Sequence, residues 1–109
     1  MSSSNIQDTL AKRGTRYGEF KSHANITQCL KRVMTGYSTK GITNWNSLSD
    51  SQKESLEMIA HKIGRILNGD PNYIDSWVDI VGYAQLVVNE LTEEERRINN
   101  DLSNEAVKP

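Results

Sequence analysis

Residues 50–91 read DSQKESLEMIAHKIGRILNGDPNYIDSWVDIVGYAQLVVNEL, and the fold follows from this stretch. In its first half Leu56, Ile59, Ala60, Ile63, Ile66 and Leu67 recur at steps of three and four, which lays one apolar stripe along a helix. Ser49-Asp50-Ser51-Gln52 has the capping-box pattern, with Leu48 placed as a hydrophobic staple, and Gly69 after Asn68 supplies the stop. Asp70-Pro71 then reopens the chain as N-cap and first helical residue, and the apolar run to Leu91 predicts a second helix. So short a link makes the two helices antiparallel neighbours, and an all-α fold around a central antiparallel hairpin is expected.

Upstream, Ile6 and Leu10 predict a short helix over 5–13, capped by Ser4 and ended by Gly14. Ile26, Cys29, Leu30, Val33 and Met34 predict another from Glu19 to Met34, with Gly36 as its stop. Residues 36–47 mix Gly, Ser, Thr and Asn and read as a long irregular loop, anchored by Trp45 and Leu48. Downstream, Thr92-Glu93-Glu94-Glu95 has a second capping-box pattern and predicts a short charged helix to about Leu102. The sum is a compact bundle of four main helices plus a short C-terminal one, a single domain over 1–102 followed by a flexible tail over 103–109.

With 36% hydrophobic and 25% charged residues in 109, the chain lies on the polar side of globular proteins, and self-association into a homo-oligomer is expected to complete its burial. A formal net charge of -1 gives no electrostatic footprint for a nucleic-acid polymer or an anionic membrane. The sequence offers no signal-peptide pattern and no apolar run of membrane-spanning length, so a cytoplasmic protein is expected. The single cysteine, Cys29, makes no internal disulfide and reads as a small core residue of a reduced compartment.

Charged residues on the hairpin carry the functional signal. Glu54, Glu57, His61, Arg65 and Asn68 follow one another along the third helix, with Lys62 at the edge of the apolar stripe. Intrahelical pairs such as Glu57 with His61, worth ~0.2–0.5 kcal/mol each, account for that ribbon if it is merely solvated. Asp75 and Asp79 are harder to account for, because they stand one turn apart on a helix otherwise apolar around most of its circumference, on a stripe continued by Tyr83 and Leu86. Such a helix is expected to be central, and its carboxylates to be compensated by Lys62 and Arg65 across the hairpin, by a divalent metal, or by both. Glu54, Glu57, Asp75 and Asp79 together offer hard oxygen ligands suited to Mg²⁺, while Lys62 and Arg65 are placed to meet phosphate, with His61 beside them.

The run from Leu56 to Pro71 and the following Tyr73 to Ala84, together with Arg13-Gly14-Thr15-Arg16-Tyr17-Gly18-Glu19-Phe20 and His23-Ala24, resembles a family of small phage and prophage proteins of unknown function. The resemblance covers most of the chain to about residue 90 and implies a bacterial host, infected or lysogenic. More distantly, Glu54-x-x-Glu57 on one helix and Asp79 on the next is similar to the MazG-type all-α nucleotide pyrophosphohydrolases. That resemblance implies Mg²⁺ held by Glu54, Glu57 and Asp79, with Glu54 and Glu57 catalytic in cleaving nucleoside triphosphates. The second motif departs from the family, since Ser76 stands where its glutamate belongs and Asp75 lies one position earlier. A chain so altered can bind a nucleotide without hydrolysing it, and a host-protein interaction module using residues 36–47 or the helix after Thr92 is a third reading.

Further candidates lie outside the hairpin. Arg13, Arg16 and Tyr17 surround a glycine-containing turn and can close over a nucleotide, with Tyr17 stacking on its base. His23 falls on an apolar stripe, where a hydrogen-bonded core histidine is the ordinary role. Gly64 and Gly82 inside helices point to close packing or to a ligand's approach.

Overall fold

The computed structural model describes residues 3–107, with side chains over 5–105. Four α-helices follow in order, α1 (Ser3–Tyr17), α2 (Phe20–Met34), α3 (Asp50–Asn68) and α4 (Ile74–Val107), with one 3-10 turn at Trp45–Ser47 and no strand among the described residues. The all-α fold is as expected from the sequence. Among the described residues no helix is long and apolar enough to cross a membrane.

The capping box that opens α3 is formed in full: Gln52 N donates to Ser49 Oγ at 3.1 Å, and Ser49 N donates to Gln52 Oε1 at 2.9 Å. The antiparallel hairpin is also as expected. Ser55 Oγ donates to the Tyr83 carbonyl at 2.9 Å and Ser51 Oγ to Glu90 Oε1 at 2.9 Å, so residue numbers rise along α3 as they fall along α4. On the opposite side of α3, Glu57 meets Lys31 of α2, while His61 and Gly64, further along α3, meet the earlier α2 residues His23 and Thr27, so this pair is antiparallel too. The result is a layer with α3 in the middle rather than a closed bundle, measuring 73 × 36 × 27 Å.

A single layer of helices encloses little. Ala60 is the one buried hydrophobic residue among those described, while His23, Thr27, Ser55, Lys62 and Ser76 are buried polar ones lying in the two helix contacts. α4, expected to be central, is covered by α3 along Ser76, Asp79, Ile80, Tyr83 and Val87, and its other large apolar residues among those described are about half exposed or more. Cys29, expected in the core, is exposed on the outer face of α2, because no further helix covers that face.

Helix ends differ from the sequence reading in several places: α1 already includes Ser4, expected as its N-cap, and three further differences have local reasons. α1 runs through Gly14, at a cost of up to ~1 kcal/mol for a glycine in a helix, and stops at Gly18, whose φ of +78° ends the helical path. α4 begins at Ile74 because Asp70 caps a turn first, its carboxylate accepting from Asn72 N at 2.9 Å. The largest difference is that no break occurs at Thr92. The Thr92 hydroxyl donates back to the Val88 carbonyl at 2.7 Å inside a continuous helix, and Glu93 with Arg96 and Glu94 with Arg97 pair one turn apart. Between Gly82 and Thr92 no Gly or Pro stands to end α4, so the expected short fifth helix and the start of the tail are its C-terminal half; residues 108–109 lie outside the described residues.

Candidate functional site

Two glycines bring α1, α2 and α3 to one corner. Gly18 joins α1 to α2 in the left-handed region, and a Cβ there would run into the Asn68 backbone and lie 2.6 Å from its Nδ2. Asn68 Nδ2 donates to the carbonyls of Tyr17 and Glu19, both at 2.8 Å, so the side chain at the end of α3 closes the α1 to α2 turn. Gly69 lies against the Arg16 and Tyr17 backbone with no room for a side chain, and Asp70 N donates to the Arg16 carbonyl at 2.6 Å. The two glycine-containing links, far apart in sequence, form one packed joint.

Beside this joint lies a pocket of about 350 Å³. Leu10, Arg13 and Tyr17 line it from α1, Glu19, Phe20 and His23 from the start of α2, and His61 and Arg65 from α3. Arg65 Cζ stands 4.1 Å from the centre of the Tyr17 ring, within cation–π range. Tyr17 meets Tyr73 edge to face at 6.0 Å, and Arg16 covers Tyr73 at 4.8 Å, so two tyrosines lie between two guanidinium groups. Among the described residues no carboxylate lies within ion-pair reach of Arg13, Arg16 or Arg65.

The back of the pocket is a histidine pair. The rings of His23 and His61 are 4.6 Å apart and nearly perpendicular, and His23 Nε2 donates to the His61 carbonyl at 3.0 Å. His23 is thus the hydrogen-bonded, buried histidine its stripe suggested. Gly64 permits the close helix contact: a Cβ would lie 2.7 Å from His23 Cδ2 and collide with the Thr27 hydroxyl. Burial lowers the His61 pKa to about 4, aided by the electrostatic influence of Arg65, His23, Lys62 and Lys31 around it. A group so placed is neutral at pH 7, and an anion beside it raises its proton affinity.

The four candidate metal ligands take four separate environments. Asp79 pairs with Lys62 at 3.0 Å across the hairpin, the compensation the sequence suggested, while Arg65 turns the other way to Tyr17. Asp75 accepts from Tyr73 Oη at 2.8 Å, a bond that raises the Tyr73 pKa. Glu57 faces Lys31 of α2 at 4.0 Å, and Glu54 lies with Tyr83 in a groove between α3 and α4. Among the described residues no three His, Cys, Asp or Glu side chains form a metal-holding group, and these four stand with different partners.

Of the candidate phosphate and nucleotide residues, Arg13, Tyr17, His23, His61 and Arg65 come together at the pocket, Arg16 stands behind Tyr17, and Lys62 and Tyr83 lie on the α4 side of α3. Phe20 and Tyr73 have no role in the sequence reading, and Asn68 enters it only as one position of the polar ribbon on α3. Gly18 and Gly69 were the available signal for the joint, but nothing local ties one to the other. No family model, curated protein or solved structure matches this chain.

Proposed function

We propose that the protein binds a phosphate-bearing nucleotide, without cleaving it, in the pocket between α1, α2 and α3. The observation that carries this reading is the wall formed by Arg65 over Tyr17, with Arg13 and the His23 and His61 pair beside it and no carboxylate paired to either arginine among the described residues. Unpaired guanidinium groups give planar, charge-assisted hydrogen bonds to phosphate, and a pocket of about 350 Å³ is of small-molecule size. Phe20, exposed at the rim, offers a face for a base, and Glu19 beside it suits a ribose hydroxyl. The resemblance to phage proteins makes an infected bacterial cell the setting in which such a ligand is sequestered.

A second reading is the Mg²⁺-dependent, MazG-type pyrophosphohydrolase, favoured by the place of Glu54, Glu57 and Asp79 on two antiparallel helices. The metal would activate water and neutralise phosphate charge there. Thermal melting with nucleoside mono-, di- and triphosphates, with and without Mg²⁺, together with a pyrophosphate-release assay, separates the two. Binding without turnover raises the melting temperature by several degrees at saturating ligand and releases no pyrophosphate. Pyrophosphate release selects the second reading, and a flat melting temperature across the panel contradicts the first.

A further inference from the structure

We infer that a second copy of this chain docks antiparallel along α4, so that the C-terminal half of each α4 covers the N-terminal half of the other. This inference is independent of the nucleotide reading, since the pocket lies on the α2 side of α3.

α4 has 34 residues against 19 in α3, so roughly 20 Å of it projects past the hairpin at about 1.5 Å per residue. Ser51 bonds Glu90 where α3 begins, and every described residue from Val88 to Glu105 is exposed. A helix with no partner is marginal in water, and this one is not uniformly polar. Leu91, Ile98 and Leu102 are each about half exposed along one side of it.

The same side continues upstream at heptad spacing. Ile74, Val81, Val88 and Leu102 stand seven or fourteen residues apart, and Trp77, Ala84, Leu91 and Ile98 follow them at three or four, so one seam runs from residue 74 to 102. The seam borders an apolar groove of about 280 Å³ between α3 and α4, walled by Leu56, Ile59, Ala84 and Val87, with room for side chains of a further helix.

The occupant is set by what each half of the seam lacks. Laid antiparallel with full overlap, Leu102 meets the partner's Trp77, Ile98 the partner's Val81 and Leu91 the partner's Val88. Glu95, the one charged residue on the seam, falls on the partner's Ala84, a side chain small enough to let the carboxylate bend to solvent. A parallel pair in register would instead set Glu95 against its own copy, two like charges inside an apolar seam. Antiparallel helices also oppose their dipoles favourably.

The test is light scattering on the full chain at tens of micromolar, with cysteine cross-linking to fix the direction. The wild type elutes at twice the 12.3 kDa chain mass, and Ile98→Glu halves the measured mass while circular dichroism reports a folded chain. With the exposed Cys29 replaced by Ser, Val81→Cys combined with Ile98→Cys forms a disulfide-linked dimer under mild oxidation, and Ile98→Cys alone does not. A single-chain mass for the wild type overturns the inference, as does cross-linking by Ile98→Cys alone to the same extent as the double variant.

Discussion

The Arg65 guanidinium lies over the Tyr17 ring at 4.1 Å, tying the C-terminal part of α3 to the end of α1. This contact orients a cation that has no carboxylate partner among the described residues, and it does so at the wall of a pocket. Replacing Arg65 with Gln removes the charge and the guanidinium fork. Nucleotide affinity is expected to fall about tenfold or more, since a hydrogen bond to a charged group contributes ~1.5–3 kcal/mol. Lys at the same place keeps the charge without the fork and should fall between the two; titration calorimetry on the three proteins ranks them.

The glycines separate into strained and free positions. Gly18→Ala meets both a φ of +78° and the Asn68 backbone, so unfolding in urea should show a loss of about 2 kcal/mol or more. Gly82 sits in α4 with nothing within 4 Å of a built Cβ, so Gly82→Ala should stabilise by up to ~1 kcal/mol.

The joint explains how far the sequence could be read. Capping at Ser49, the Gly69 stop and the apolar stripe of α3 are local signals, and the α3 and α4 hairpin follows from them. What Thr92 does is not local: the same Thr-x-x-Glu pattern opens a helix only where the chain has already turned, and nothing before Thr92 turns it. The pocket was legible as a set of candidates, Arg13, Tyr17, His61 and Arg65, but their meeting depends on Asn68 reaching the carbonyls of Tyr17 and Glu19, a long-range contact that no spacing encodes. Exposure of α4 was misread because an apolar circumference states that a helix needs cover, without stating that the same chain supplies it.

Stability should depend on pH through His61. Its folded pKa, lowered to about 4 from the ordinary 6.5, means that the unfolded chain binds this proton first as pH falls. The contribution is fully present above about pH 6.5 and is lost as pH drops towards 4. Melting temperature should therefore decline across that window, and His61→Gln should flatten the decline. A bound anionic ligand should also flatten it by raising the His61 pKa.

Lys62 is buried while its partner Asp79 is about half exposed, so the two variants of this pair are not equivalent. Asp79→Asn leaves a buried ammonium without its charge partner and should cost about 1–3 kcal/mol in urea unfolding. Adding Lys62→Met to Asp79→Asn should recover much of that loss, because the charge that needed compensation is then gone.

The central claim, that a nucleotide's phosphates are held between α1, α2 and α3, is tested most directly by nuclear magnetic resonance titration of the isotope-labelled chain with a nucleoside triphosphate. Saturable shifts confined to Arg13, Tyr17 to His23, His61 and Arg65, reached without Mg²⁺, are the predicted result. Shifts that require Mg²⁺ and centre on Glu54, Glu57 and Asp79, or no saturable shift at all, would contradict it.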